Sequence, residues 1–357
     1  MRKKILVTGG AGFIGSSLVK QLAKESENKI INIDKLTYAG NYETISELEK
    51  LGNYFFEQVD ICDESKISDI IKKYKPSNII HLAAETHVDN SIDSPRDFLL
   101  TNILGTFNLL NLSLKYWNEL DNKPKQNFLF QYISTDEVYG SLNKSEKSFT
   151  ELSPYDPSSP YSATKASADH LIRAWGKTYN LPYIITNSSN NYGPFQLPEK
   201  LIPLTIIKII RNEEIPIYGD GNQVRDWIHV EDHVRALSEV LQSGEIGETY
   251  NVGANNERSN LEVVKLICEI IDTSFFREKK IPAKNSKELI SFVGDRPAHD
   301  IRYSLDTKKI HNKLNWEAQI EFKEGLTNTV KWYLENKEWW LNIIEKNSQI
   351  INRKGIK

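Results

Sequence analysis

Two acids stand side by side at Asp136-Glu137, a phenol and an ammonium lie four residues apart at Tyr161 and Lys165, and glycines recur every third residue at Gly9, Gly12 and Gly15. Tyr161 and Lys165, at i and i+4, share one face of a helix. A tyrosine ordinarily ionises near pH ~10. A cation one turn away would favour its phenolate and make it a general base for a substrate hydroxyl. The run Ser134-Thr135-Asp136-Glu137-Val138-Tyr139-Gly140 closes the apolar strand Phe128 to Ser134. It therefore opens at the end of a sheet strand, where α/β proteins bind ligands. Thr135 is placed to bond the same hydroxyl as Tyr161. Hydride transfer alone needs no further acid/base pair, whereas loss of water does: a carboxylate removes a carbon-bound proton and a carboxylic acid protonates the leaving hydroxyl. A solvated acidic loop is the plainer alternative for Asp136-Glu137.

The string Thr8-Gly9-Gly10-Ala11-Gly12-Phe13-Ile14-Gly15 follows a strand, Ile5 to Val7, and opens a helix, Gly15 to Lys24. The first glycine permits the turn, the second lets backbone approach a pyrophosphate, and the third lets helix pack on strand. The helix start, with Phe13 and Ile14, offers free N–H groups to the anion. Asp34 ends the next strand, Ile30 to Ile33. Its carboxylate would accept from both ribose hydroxyls and repel a 2'-phosphate, which favours NAD over NADP, with Lys35, Leu36 and Thr37 beside it. Asp60-Ile61 follows a third strand, Tyr54 to Val59; Asp60 either reaches the adenine amino group or caps the helix before Glu64. His81 reads as a satisfied core residue, and the small run Leu82-Ala83-Ala84 would let the cofactor lie against backbone. Thr101 completes the expected cofactor set on that side.

These residues need a scaffold of alternating short β-branched runs and helices. Helices at Ile67 to Tyr74, Asn102 to Leu114 and Ser162 to Trp175 complete the pattern, Ser158 or Ser159 capping the last. The expected fold class is α/β: a Rossmann-type doubly wound parallel sheet with a smaller α/β C-terminal substrate-binding lobe. Residues 1–190, with a return near 225–252, would form the NAD-binding part, and 191–357 mainly the substrate-binding part. Trp316, Trp332, Trp339 and Trp340 are expected to share a satellite core. The 357 residues carry 45 Lys and Arg against 48 Asp and Glu, a formal charge of -3, which argues against a nucleic-acid binder. The longest apolar run, Leu201 to Ile210, is too short and too interrupted to span a membrane. Cys62 and Cys268 have no zinc-site spacing, so the expectation is a soluble cytoplasmic protein without a metal.

The glycine motif and the Tyr-x-x-x-Lys pair resemble the extended short-chain dehydrogenase/reductase family. The strings HLAAETHVD (81–89), STDEVYG (134–140), SPYSATKASADHL (159–171), SSNNYGPFQLPEKLIPL (188–204), RDWIHVEDH (225–233) and DRPAHDIRY (295–303) are similar to its nucleotide-sugar 4,6-dehydratases. That resemblance implies bound NAD, a dTDP-glucose substrate with UDP- or CDP-glucose as alternatives, and a homodimer built on the helices at 102–114 and 162–175. It also implies roles for individual residues. Tyr161 would be the base at the sugar C4 hydroxyl, Glu137 the base at C5, Asp136 the acid at the C6 hydroxyl, and Lys165 the holder of the nicotinamide ribose. Thr86 and Asn190 would touch sugar and diphosphate, and Asn191 would lie toward the nicotinamide. Lys200-Leu201 and Pro216-Ile217-Tyr218 would flank the base. Arg225 and Arg296 would meet the pyrophosphate from loops, with Asp295, Asn260 and His299 completing the pocket. Asn90 departs from the family's arginine, and Ala298 from its glycine before His299; the second matters if that loop needs φ > 0. The rivals are a nucleotide-sugar 4-epimerase, which would not need Asp136-Glu137, and a non-catalytic NAD(H)-binding redox sensor, which would not need Tyr161 and Lys165.

Overall fold

The computed structural model describes residues 3–275 and 285–351. Among them the strands are β1 (Lys4–Thr8), β2 (Lys29–Asp34), β3 (Tyr54–Gln58), β4 (Asn78–His81), β5 (Leu129–Thr135), β6 (Tyr183–Ser188), β7 (Asn190–Tyr192), β8 (Ile215–Tyr218), β9 (Val224–His229), β10 (Thr249–Val252), β11 (Glu257–Ser259) and β12 (Ile290–Val293). Seven of them form the main sheet, in the order β10-β6-β5-β4-β1-β2-β3, with every neighbouring pair parallel. Such strands are covered on both faces and therefore read as unbroken apolar runs.

β1 shows how the two faces divide. Ile5 and Val7 point to one core, with Leu18 and Val19 of the helix Phe13–Lys24 and Val234 and Leu237 of the helix Val230–Ser243. Leu6 points to the other, with Ile67, Leu109, Ala168 and Ile172 from the helices Glu64–Tyr74, Thr106–Asn118 and Pro160–Tyr179. The alternation is the two-residue period of a strand. A third core lies under the remaining small sheets, β11-β9-β7 and β12-β8. It joins Ile202, Ile207, Val263, Ile267, Leu326 and Trp340. The run Leu201–Ile210 is a helix there, and Pro203 sits in its first turn, where the missing N–H had no intrahelical partner to lose. The expected common tryptophan core needs correcting. Trp332, Trp339 and Trp340 belong to this third core, but Trp316 packs under the main sheet with Ile310 and the helix Val230–Ser243.

Two local features aim the helix that carries Tyr161 and Lys165. Ser159 caps it, accepting from Ser162 N at 3.1 Å while Ser162 Oγ accepts from Ser159 N at 3.0 Å, and Pro160 takes the first position. The segment before the helix Thr106–Asn118 is a π-helical turn, Leu99–Gly105. That turn presents Asn102 sideways: its Nδ2 donates to Glu85 O at 3.0 Å and to Thr164 Oγ1 at 2.9 Å, which ties the tyrosine helix to the loop after β4. A π turn inside a helix is a local strain that tends to sit at functional sites. No helix among the described residues is long and apolar enough to cross a membrane.

Ser159→Ala removes one capping-box acceptor and frees a first-turn N–H. The expected cost is about 1 kcal/mol in urea unfolding. A loss of less than a few tenths would show that the cap does not define where this helix starts.

Candidate active site

The C-terminal ends of β1, β2, β4, β5 and β6 border one cavity of about 290 Å³. At one end lies the glycine turn. Gly9 has φ +77°, and a Cβ there would stand 2.7 Å from Ala83 N; a Cβ on Gly15 would stand 2.1 Å from Gly9 O. Neither position tolerates a side chain without moving backbone. No side chain caps the helix that begins at Phe13, so its first N–H groups are not claimed by a cap. Asp34 sits at the tip of β2, where Oδ2 accepts from Ala11 N and Oδ1 from Leu36 N, both at 2.9 Å. Burial pushes its carboxyl up, while those two N–H donors and Lys35 pull it back. Lys35 is ion-paired with Asp60 at 3.3 Å. Asp60 is not the helix cap: Asp63 accepts from Lys66 N and takes that role, and Asp60 Oδ1 holds Cys62 N.

At the other end the acids, the phenol and the ammonium meet. Thr135, the last residue of β5, caps the tight turn Asp136–Tyr139 and accepts from Glu137 N at 3.3 Å. It also donates to Asp136 Oδ1 at 3.2 Å. Asp136 is 2% exposed. Burial drives its carboxyl well above the usual range, and the Glu137 carboxylate adds to that. Burial also raises Glu137, but Arg296 and Arg225 oppose it. Both carboxyls are thus raised, Asp136 the further, which leaves Asp136 the better-held acid and Glu137 the readier base. Lys165 Nζ donates to Ile133 O at 2.8 Å and lies 4.2 Å over the Tyr132 ring. Burial lowers Lys165 to about 8. One electrostatic expectation is corrected here. Burial, followed by Glu137, drives the Tyr161 phenol upward, and the opposing hydrogen bond comes from Thr135 rather than a pull from Lys165.

The cavity lining brings together Gly9, Gly12, Phe13, Ile14, Gly15, Asp34, Lys35, Thr37, Asp60, Ile61, Leu82, Ala83, Ala84, Thr101, Thr135, Asp136, Glu137, Tyr161, Lys165, Asn191, Thr86, Asn190 and Lys200. Leu36 is not in it: at φ 57° it turns its side chain to the core and gives its N–H to Asp34. Ile217 is fully buried in the third core, and Leu201 packs against that core, so their side chains face away from the cavity. Arg225 lies in β9 rather than in a loop. It is buried, donates to Val224 O at 2.7 Å and Asp300 O at 3.0 Å, and stacks 4.0 Å over Tyr303. Asn260 opens a helix, and its N–H is spent on Gln223 O.

Pro216, Tyr218, Asp295, Arg296 and His299 lie beyond the cavity in a second group held by hydrogen bonds. Tyr218 Oη donates to Asp89 Oδ2 at 2.9 Å, Arg296 Nη1 to Asp89 Oδ1 at 3.3 Å, and His299 Nδ1 lies 2.6 Å from Asp295 Oδ1. Burial and the Arg296 charge lower His299 to about 4. Ala298 has φ 52°, so the loop does hold a left-handed residue where a glycine would be unstrained. Asn90 Nδ2 reaches Tyr38 Oη at 3.4 Å.

Residues that the sequence reading did not single out also line the cavity, among them Glu85, Ser134, Ser188, Ser189, Gln196 and Leu197. Each lies inside a string already quoted, and only its place in the fold distinguishes it. Buried polar atoms without partners gather here: Asp136 Oδ2, Asn190 Oδ1 and Gln196 Oε1. Buried groups of this kind are rarely left unpaired unless a ligand serves them. Together with the glycine cradle and the paired Asp34 carboxylate, they fit a dinucleotide and a polar substrate.

Asp136 titrates higher in the folded chain than in the unfolded one, so the folded state loses stability as pH rises from about 4 toward the folded value. Asp136→Asn removes that loss. Thermal scans are expected to place the variant above the parent at pH ~8, with the gap narrowing toward pH ~4. A gap that widens toward acid would contradict the assigned direction.

A family model described as GDP-mannose 4,6 dehydratase matches residues 6–329. The dTDP-glucose 4,6-dehydratase of Neisseria meningitidis serogroup B is 52% identical over 342 residues, 96% of each chain. The crystal structure of dTDP-glucose 4,6-dehydratase from Bacillus anthracis in complex with NAD superposes with a TM-score of 0.83 at 42% identity, covering 96% of this chain and 99% of that one. The corresponding enzyme of Streptomyces venezuelae, also solved with NAD, gives 0.85 at 38%, with 95% and 99% covered. With the parallel sheet, the glycine cradle and the acid pair on one cavity, the chain belongs to the dTDP-glucose 4,6-dehydratase family.

Proposed function

We propose that the chain is a hydro-lyase that converts dTDP-D-glucose to dTDP-4-keto-6-deoxy-D-glucose and water. The observation that carries this reading is the placement of Asp136, Glu137 and Tyr161 on one cavity. When bound, NAD supplies a hydride acceptor for C4 of the sugar and returns the hydride to C6. Gly9, Gly12, Phe13, Ile14 and Gly15 would hold its pyrophosphate, Asp34, Lys35 and Thr37 the adenosine ribose, and Asp60, Ile61, Leu82, Ala83, Ala84 and Thr101 the adenine side. Lys165 and Asn191 would hold the nicotinamide end.

Tyr161 takes the proton of the C4 hydroxyl, which Thr135 orients. The phenol needs help to ionise, because burial and the two carboxyl groups oppose it. The C4 ketone acidifies the C5 proton, which Glu137 removes. Asp136, kept protonated by burial, gives its proton to the C6 hydroxyl, which leaves as water. Thr86 and Asn190 border the sugar and diphosphate, and Lys200 flanks the nucleotide base. Arg225 and Arg296, whose charges oppose the rise of Glu137, serve the diphosphate and favour the ionised form of that base. Pro216, Tyr218, Asp295 and His299 contact the nucleotide base, with Leu201, Ile217 and Asn260 supporting that wall.

We also propose an NAD-binding part of residues 1–190 with a return near 225–252, and a mainly substrate-binding part of 191–357. A homodimer through the helices Thr106–Asn118 and Pro160–Tyr179 would cover the exposed Leu100, Leu104, Phe107 and Tyr179. We further propose, by analogy with the family, a cytoplasmic site and a role in deoxysugar supply, rhamnose above all.

A panel of dTDP-, UDP- and CDP-glucose, read by mass, tests the reaction. Loss of one water from dTDP-glucose, with no added oxidant, is the expected result, and an unchanged mass would reject it. Glu137→Gln is expected to keep C4 oxidation and lose exchange of the C5 proton with solvent; undiminished deuterium wash-in at C5 would remove Glu137 from its role. Tyr161→Phe should slow turnover by roughly 10² to 10⁴. Near-parental turnover would contradict the base assignment.

A further inference from the structure

The helix Pro160–Tyr179 carries Tyr161, Lys165, Asp169 and Arg173 at four-residue intervals, and hence on one face. Asp169 has no exposed surface. Its Oδ2 accepts from Tyr155 Oη at 2.6 Å, and that oxygen in turn accepts from Arg173 Nη2 at 2.8 Å. Arg173 also donates to Thr249 Oγ1 at 3.1 Å, which anchors the group to β10. Tyr155 packs edge-on against Tyr139, at 5.2 Å between ring centroids. Tyr139 ends the turn that begins with Asp136. Asp169 is thus built into the wall behind the acid pair, held at Oδ2 by Tyr155 while Oδ1 has no hydrogen-bond partner among the described residues; burial pushes its carboxyl up, and Tyr155, Arg173 and Lys165 pull it back.

The surroundings of Lys165 explain why an acid is needed there. From β5 it meets the Ile133 carbonyl and the Tyr132 ring, neither of which carries a charge. Toward β4 lies His81, which burial first and the lysine second keep neutral and which is held between Thr8 and Thr106. On its own helix Tyr161 lies one turn before it and Asp169 one turn after. Glu137, Asp136 and Asp169 all oppose ionisation of Tyr161, and among the described residues Asp169 is the acid that acts on Lys165. An ammonium buried without a counter-charge gives up its proton.

We infer that Asp169 is a positioning residue, the counter-charge that keeps the buried Lys165 an ammonium. This rests on the reading of Tyr161 and Lys165 as base and cation. Removing the charge leaves the lysine neutral near neutral pH and strips the tyrosine of its cation. Asp169 touches no reacting atom.

The test follows the titration of Lys165 by NMR of lysine labelled at the ε-carbon, its signal identified by loss in Lys165→Arg. In the parent the midpoint is expected at about 8, lowered by burial. Asp169→Asn is expected to lower it by at least one pH unit, a tenfold change in the proton equilibrium, and to shift the alkaline limb of the kcat profile by the same amount. Turnover should then recover on lowering the pH. A purely structural loss would depress turnover equally at every pH and leave the midpoint where it was, and that result overturns the inference. If Asp169→Asn does not fold, Tyr155→Phe keeps the acid but removes its neutral donor. It should shift the midpoint in the same direction by a smaller step, and an unmoved midpoint again overturns the inference. Lys165→Met separates the two readings. If it retains turnover, the base-and-cation reading fails whatever Asp169 does. If it is inactive while Asp169→Asn leaves the midpoint unmoved, only the present inference fails.

Discussion

A carboxyl group forced out of water at the tip of β5 sets the terms for everything around it. Asp136 follows a strand buried along its whole length and enters a turn capped by Thr135, so its carboxyl meets solvent only through the cavity it lines. A charge there is unfavourable, and the group keeps its proton. Glu137 lies one residue on, within reach of two guanidinium groups that favour its ionised form. The asymmetry between chemically similar neighbours is what an elimination needs, and it comes from environment alone. The same desolvation works on Lys165 and Tyr161, pulling the ammonium down and pushing the phenol up. The pair therefore depends on charges from elsewhere, and Asp169 is the acid the fold places beside the lysine.

The scaffold carries this strain through rigid parts. The tyrosine helix is fixed at its start by the Ser159–Ser162 box and at its flank by Asn102 in a π turn. The cofactor end is fixed by close approach of glycine backbone to β4. Buried acceptors without partners remain in the cavity wall, a cost that a bound ligand offsets. Activity and stability are therefore opposed at this position, as is common where charges are held away from water.

Much of this was legible in the chain. The apolar runs of β1, β2, β4 and β5 marked a covered parallel sheet because both faces are buried, and the glycine spacing marked the turn because only glycine fits against Ala83 and Gly9. The acid pair could be placed because it follows β5 directly. Other features were not legible. Arg225 looked like a loop residue beside glycines, but β9 pairs through it with β11 and turns its side chain toward Asp300 and Tyr303. Ile217 and Leu201 were placed by string similarity, which cannot say which face of a strand or helix looks inward. Trp316 was grouped with its sequence neighbours, while tertiary packing sends it under the other sheet. The sign of the shift at Tyr161 depends on burial and on Glu137, and neither distance nor depth is written in a sequence. Asp169 was visible only as a letter in a motif, because its bond to Tyr155 forms only when the segment before the tyrosine helix folds back on it.

The central claim is that burial keeps Asp136 protonated at neutral pH. Infrared difference spectroscopy of the parent against Asp136→Asn, in a neutral buffer, reads this directly. The account predicts a protonated carboxylic-acid carbonyl band that is present in the parent and absent from the variant, with little change in the carboxylate bands. Loss of a carboxylate band instead, with no carbonyl band in the parent, would contradict it.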